Sequence, residues 1–358
     1  MAHRVALIVP TLDEQDTIAR VLEAICAQGG DMVELVVVAD GGSADLTRSA
    51  VESFARRDAR VRLFDNPDRL QAAGVSAAVR ALPAEIDTFI RVDAHADYPP
   101  DFVERLLQTA DRTGADSVVV RLRSEGRGQF GKAVGALSNT VFGAGNSAHR
   151  MSGRSGWVDH GHHALFRREA FEAIGGYDGA FATNEDAELD VRLLLAGRQI
   201  WFENELVIGY HPRETLSALI RQYWRYGVGR AMTVRKHGMR LKLRQLLPVL
   251  LVLTVSLATL ASLALPDLLL IPAAYLAACA VIGIAYALRG RGAFMILSAV
   301  VLPAIHLSWG AGFIRGYLLG RGGLLRAGGW TQRTADAAPA VSRDGADTPQ
   351  SASLKSSL

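Results

Sequence analysis

Apolar positions in the first 210 residues follow two alternating rhythms. Short continuous apolar runs of strand length occur at 4–9, 33–39, 60–64 and 87–92. Stretches with a helical apolar period separate them, near 14–27, 45–57, 71–81 and 100–113. Continuously apolar strands belong to a mostly parallel sheet covered on both faces. The pattern therefore predicts an α/β unit, with a further strand near 116–121. Asp13 and Ser43 stand where helix N-caps are expected. No segment repeats at a fixed period.

The patterning lapses between 122 and 160, a stretch rich in Gly, Arg and Ser with a short helix expected near 130–142. Such a stretch reads as an excursion over a site. Regular patterning resumes at 164–210, with helices near 168–174 and 185–196 and strands near 199–202 and 206–210. The runs 246–265 and 268–288 carry no charge and are broken only by Pro266-Asp267. Each is long enough, as a helix, to cross a hydrocarbon core of about 30 Å. A third run, 293–313, contains Pro303, His306, Trp309, Gly310 and Gly312 and predicts a weaker or kinked span. The expected division is an α/β domain over 1–212, a basic helix over 213–245, a membrane region over 246–320 and a tail over 321–358. From about 331 the tail lacks an apolar pattern, and disorder is expected there.

The apolar runs account for a composition that is 49% hydrophobic with a mean hydropathy of +0.16. Disordered, collagen-like and disulfide-stapled classes are excluded. Cys26 and Cys279 lie too far apart for a C-x-x-C motif and read as buried free thiols. Net charge is only +3, but nine Lys and Arg fall between 213 and 244 against one acid, Glu214. Tyr223, Trp224 and Tyr226 are interleaved with them. A cationic, aromatic-bearing helix just ahead of an apolar run reads as an interfacial helix on an anionic leaflet, not as a nucleic-acid surface. The start has no signal-peptide pattern, so the α/β unit is expected in the cytoplasm at an inner (plasma) membrane crossed by more than one span. Arg289 and Arg291 suit the cytoplasm after two spans, whereas Arg315, Arg321 and Arg326 would lie outside after three. Either 293–320 returns without crossing or the charge rule fails there.

In an open α/β sheet ligands bind beyond the carboxyl ends of the strands. Three of those ends carry acids: Pro10-Thr11-Leu12-Asp13-Glu14, Asp40-Gly41-Gly42-Ser43-Ala44-Asp45-Leu46-Thr47, and Asp93-Ala94-His95-Ala96-Asp97. No G-x-G-x-x-G and no G-x-x-x-x-G-K-[ST] is present, which excludes the Rossmann and P-loop phosphate cradles. Carboxylates can still hold a nucleotide, by accepting from its base or ribose or through a divalent cation on its diphosphate.

These strand ends, with Asn184-Glu185-Asp186 and Gln222-Tyr223-Trp224-Arg225-Tyr226, resemble family 2 glycosyltransferases of the GT-A fold. The resemblance spans about 4–320 and is strongest to membrane-associated glucosyltransferases of succinoglycan-type exopolysaccharide synthesis. It implies an inverting transfer of a sugar, glucose being favoured, from a UDP-sugar to a lipid-linked oligosaccharide. A polyprenyl monophosphate acceptor and a nonenzymatic nucleotide-binding membrane scaffold are the alternatives. Pro10, Leu12, Glu14, Asp40, Ser43, Arg69, Asp93 and Ala94 are implied at the nucleotide. Asp93 matches the first acid of an Asp-x-Asp metal motif whose second acid is here His95, so the implied Mn²⁺ or Mg²⁺ would be held by Asp93 and His95. Histidine suits Mn²⁺ better than Mg²⁺. Asp97 and His211 are further candidates near the metal. Asp186 is the implied base, with Glu185 competing. Gln222, Arg225 and Tyr226 match a Gln-x-x-Arg-Trp motif at the acceptor, with Tyr in the Trp position. Trp157 is a candidate sugar-stacking ring. His160, His162 and His163 with Asp159 could hold a separate metal, but the resemblance makes them a polar wall of the acceptor pocket. The short membrane region favours one transfer over polymer synthesis, and the oligomeric state is left open.

Overall fold

The computed structural model of the chain describes residues 3–145, 150 and 153–319. The tail expected to be disordered lies outside them. The first half alternates as predicted: β1 (Val5–Thr11), α1 (Ile18–Cys26), β2 (Val33–Asp40), α2 (Thr47–Ala55), β3 (Val61–Asp65), α3 (Gln71–Ala81), β4 (Thr88–Arg91), α4 (Phe102–Thr113) and β5 (Ser117–Ser124). Next come α5 (Gln129–Ser138), α6 (Val141–Ala144), β6 (Gly156–Trp157), β7 (His162–Arg167), α7 (Arg168–Ala173), α8 (Glu185–Leu195) and β8 (Ile200–Tyr210). Four long helices follow: α9 (Leu216–His237), α10 (Leu243–Ala261), α11 (Leu270–Tyr286) and α12 (Ser298–Leu319).

One sheet runs in the order β3-β2-β1-β4-β7-β5-β8-β6. β1 pairs in parallel with β2 and β4, and β5 with β8, while β7 is antiparallel to both β4 and β5. Both faces are covered. Val5, Leu7 and Val9 point into a core with α1, α2 and α4, whereas Ala6 and Ile8 point into one with α3, α7 and α8. That two-sided burial is why the strands read as unbroken apolar runs.

The sequence reading misses β7, because its His-His start and Arg end leave only Ala164-Leu165-Phe166 apolar. The two strands expected at 199–202 and 206–210 are one strand, β8. Its register against β5 shifts between Val120 and Arg121, where Glu203, Asn204 and Glu205 interrupt the apolar pattern. The helix expected near 130–142 breaks in two at Asn139–Thr140, and Thr140 caps α6 by accepting from the Gly143 N–H at 3.4 Å. Among the described residues, Cys26 and Cys279 are free thiols, as expected, but only Cys279 is buried and Cys26 is partly exposed.

Three stretches, Leu243–Ala261, Pro266–Arg291 and Ala293–Leu319, are helical, long and apolar enough to cross a membrane. The third is one continuous helix through Pro303, and it is far more covered by protein than the other two. Its glycines let neighbours close in: a Cβ at Gly312 would overlap the backbone of Trp224 on α9, and one at Gly227 on α9 would overlap the backbone of Trp309.

Candidate active site

The carboxyl ends of β1 and β2 form a hydrogen-bonded shelf. Asp40 is fully buried, and its Oδ2 accepts from the N–H groups of Gly42 and Ser43 at 3.1 Å and from Arg48 at 2.8 Å. Burial pushes its carboxyl up, but the Ser43 hydroxyl and Arg48 outweigh this and hold it below the usual range. Ser43 Oγ also accepts from the Asp13 N–H at 2.9 Å, and the Asp13 carboxylate accepts from the Ala44 N–H at 2.8 Å. Leu12 lies against Gly41, and so does the backbone of exposed Arg69. Asp13 and Arg69 both have positive φ, 56° and 57°. The expected nucleotide residues are thus gathered by loop hydrogen bonds, with Pro10 and Ala94 in the adjoining backbone.

Glu14 joins this shelf to the end of β4. Its Oε1 lies 2.9 Å from His95 Nδ1, and its Oε2 accepts from Thr17 at 2.8 Å. The Glu14 hydrogen bond raises the His95 pKa above its ordinary value. Asp93 lies within reach of three donors: His162 Nε2 at 3.1 Å, Gln71 Nε2 at 3.4 Å and Arg91 Nε at 3.6 Å. Burial pushes the Asp93 carboxyl up, yet Arg91 and then His162 hold it well below the usual carboxylate range.

Arg91 is buried on β4 and ties the two candidate acids together. Its Nη1 donates to Asp186 Oδ1 at 2.6 Å and to the Tyr177 hydroxyl at 2.9 Å, and that hydroxyl donates to the same Asp186 oxygen at 2.8 Å. Arg91 Nε has no hydrogen-bond partner among the described residues. Glu185 and Asp186 open α8, where a helix favours negative charge. Asn184 and Thr183, just before them, donate to the Tyr226 and Arg225 carbonyls of α9 at 2.9 and 3.0 Å. Burial first, and the charge of Asp186 second, push Glu185 up to about 7.

Of these groups, Gln71, Arg91, Asp93, His95, His162, Glu185 and Asp186 line one cavity of about 1370 Å³, and the shelf of Glu14, Asp40 and Ser43 lies outside its lining. The cavity runs from Gln71, Asp93 and His95 past Glu185 and Asp186 to Leu247, Leu251 and Trp309 on α10 and α12. Gln222, Arg225 and Tyr226 line it as expected, and Gln222 Nε2 donates to the Tyr210 and Tyr226 hydroxyls at 2.9 and 3.0 Å. Five of the nine cations between 213 and 244 also line it: Arg213, Arg221, Arg225, Arg230 and Arg244. The basic segment read as facing lipid headgroups thus turns much of its charge inward.

Trp157 lies apart from the other expected acceptor residues. It stands half-exposed on the terminal strand β6, edge-on to Trp201 with centroids 5.0 Å apart, and does not line the cavity. The histidine segment does not gather into a metal site either. His160 pairs with Asp190, His162 with Asp93, and Asp159 with Lys242. His211 pairs with Asp97 at 2.9 Å. Among the described residues no three His, Cys, Asp or Glu come together as a metal cage. Asp93 and His95 offer one carboxylate and one imidazole, a set that fits a divalent cation completed by phosphate oxygens. Arg91, Tyr177 and Gln71 were missed in the sequence. An Arg inside an apolar strand run is the one signal that marks the first of them.

The model of glycosyl transferase family 2 matches residues 6–175, and that of glycosyl transferase family group 2 matches residues 92–288. Succinoglycan biosynthesis protein ExoA of Rhizobium meliloti is 42% identical over 86% of this chain and 93% of its own. An undecaprenyl-phosphate 4-deoxy-4-formamido-L-arabinose transferase of Proteus mirabilis is 27% identical over 39% of this chain and 43% of its own. The mannosyltransferase PcManGT of Pyrobaculum calidifontis, solved with GDP-Man and Mn²⁺, superposes with a TM-score of 0.54, covering 88% of this chain and 87% of its own at 22% identity. That likeness bears out the GT-A architecture. With acids at the strand ends and the matched models running on into the apolar helices, the chain belongs to glycosyl transferase family 2 and is a membrane-associated glycosyltransferase of the exopolysaccharide type.

Proposed function

We propose that the enzyme moves one sugar, glucose being the first candidate, from a UDP-sugar to a saccharide carried on a membrane lipid, with inversion. The observation that carries this reading is the cavity that joins Asp93, Glu185 and Asp186 to apolar residues of α10 and α12. A soluble acceptor needs no such wall, whereas a lipid-borne one does. The shelf of Glu14, Asp40 and Ser43 takes the nucleoside. Asp93 and His95 would hold a divalent cation, which neutralises charge on the donor diphosphate when bound.

The acceptor hydroxyl attacks the anomeric carbon from the side opposite the departing nucleoside diphosphate. Its proton passes to the carboxylate pair, with Asp186 as the base. Arg91 and Tyr177 fix that carboxylate in place, which general-base catalysis requires. Glu185, ionised above about 7, adds negative charge that counters the pull of Arg91 on the pair.

A second reading, transfer to polyprenyl monophosphate, is favoured by the arginines of the cavity and by relatives such as the Proteus mirabilis transferase. Against it stands the carboxylate pair. A phosphate oxygen, with a second pKa near 6, is largely ionised at neutral pH and needs no base.

Detergent-purified protein is tested for nucleotide release from a panel of UDP-sugars and GDP-mannose. Mg²⁺ or Mn²⁺ is supplied, with and without lipid-linked saccharide extract. Metal- and acceptor-dependent release from one donor, lost in Asp93→Ala, supports the reading and names the sugar. Absence of any UDP or GDP binding by calorimetry overturns it.

A further inference from the structure

The cavity contains a cation pair that the transfer step itself does not use. Arg230 lies on α9 and Arg244 in the first turn of α10, where the cavity wall becomes apolar through Leu243, Leu247 and Pro248. Arg244 donates to the Gly145 carbonyl at 3.4 Å. Arg230 makes no hydrogen bond or ion pair among the described residues, although it is largely covered. The nearest acids are already engaged: Asp190 with His160, and Asp159 with Lys242. Burial first, and repulsion from Arg244 second, pull Arg230 below the ordinary guanidinium value. The fields of Asp190 and Asp159 offset this only in part at Arg230, and guanidiniums lining a cavity beside an apolar wall are well placed to take a further anion.

A different arginine serves the other end. Arg213 lines the cavity at the end that holds His95. Glu185 and Asp186 line the same cavity as both groups.

We infer that Arg230 and Arg244 form a separate binding site for the phosphate or diphosphate of the lipid acceptor, whose tail lies along α10 and α12 while its saccharide reaches the carboxylate pair. Guanidinium forks suit phosphate oxygens, and a tail attached to that phosphate would meet apolar side chains at once. This rests on the transferase reading, and it adds what part of the acceptor is recognised away from the reacting atoms. The acceptor is held by its anion and its tail, so its saccharide can be varied with little loss of binding.

Binding of undecaprenyl diphosphate and of undecaprenol to detergent-solubilised full-length protein tests the site, by quenching of tryptophan fluorescence. Inorganic pyrophosphate is the competitor. Charge-assisted hydrogen bonds of this kind are worth about tenfold to a hundredfold in affinity. Wild type should bind the diphosphate lipid at least about tenfold more tightly than the alcohol. Arg230→Gln and Arg244→Gln should each erase most of that difference, while binding of UDP stays unchanged and certifies the fold. Arg240→Gln, which removes an exposed cation outside the cavity, should leave it intact. Equal affinity for the two lipids in wild type, or an unaltered difference in both cavity variants, overturns the inference and leaves the transferase reading standing if UDP still binds. Inorganic pyrophosphate binding as tightly as the lipid would make this a free-phosphate site and also overturns it. Failure to bind UDP at all is the separate result that removes the transferase reading.

Discussion

Asp186 accepts from Arg91 and Tyr177, whereas Glu185, its neighbour in sequence, makes no ion pair among the described residues. That contrast sets the expected kinetics. Asp186→Asn should lower kcat about a thousandfold or more while leaving UDP binding intact, since it removes the proposed base and keeps the shape. Glu185 loses its proton near pH 7, so the wild-type rate should climb as pH rises from about 6 to about 8. Glu185→Gln should cost roughly tenfold and flatten that limb. A pH profile of transfer checks both. Stability carries the same signature with a definite sign. The folded pKa lies above the ordinary glutamate value of 4.5, so this group favours folding below about 4.5, and the contribution is lost as pH rises through about 7. Glu185→Gln should therefore raise stability at pH 8 by about 3 kcal/mol at most, read as a higher thermal midpoint, and change it little at pH 5. Arg91→Met should do the reverse, costing about 3–5 kcal/mol by stranding Asp93 and Asp186 without their shared cation. Asp93 was legible in the sequence because it follows a strand, and Glu185 and Asp186 through the resemblance carried by Asn184-Glu185-Asp186. Arg91 and Tyr177 were not, because partners 95 and 86 residues away are joined only by the fold.

At the scale of elements, the parallel half of the sheet is legible because burial on two faces leaves unbroken apolar runs. β7 is not, since an antiparallel strand inserted between β4 and β5 carries its polar ends to the site: His162 reaches Asp93 from its first residue. The contact of α9 with α12 is likewise invisible in hydropathy, which records apolarity and not closeness. Gly312 in an apolar run predicts a weak span, but here it permits the approach of Trp224. Gly312→Ala should drive the two helices apart at a cost of about 1–3 kcal/mol, read as a lowered unfolding midpoint in detergent. Because α9 also carries Gln222 and Arg225, acceptor KM should rise with it more than donor KM.

For the whole molecule, the placing of α12 bears on the charge conflict at its end. Its middle touches the α/β unit, with His306 Nε2 2.8 Å from the Phe142 carbonyl. Its far end does too by way of α9: Arg235 donates to the Tyr317 carbonyl at 2.8 Å, and the next residue, Lys236, binds Asp178 and Glu188. A helix tied at both points to one side has no length left to cross a core of about 30 Å. We therefore expect α10 and α11 to cross as a hairpin and α12 to lie at its base. Single cysteines in a variant lacking Cys26 and Cys279 test this in oriented vesicles: one at Leu265 should label from the side opposite the α/β unit, and one at Leu319 from the same side. Labelling of Leu319 with Leu265 would mean three crossings. With α12 at the base, Arg315 joins Arg289 and Arg291 on one side, as charge asymmetry demands.

The apolar wall that α10 lends to the cavity also changes what concentration means for this enzyme. A substrate whose tail never leaves the bilayer is encountered in two dimensions, so turnover should follow its mole fraction among lipids. Diluting the assay with buffer would leave the rate per enzyme unaltered, whereas adding inert lipid at constant volume would slow it. The nucleotide sugar alone would obey ordinary molarity.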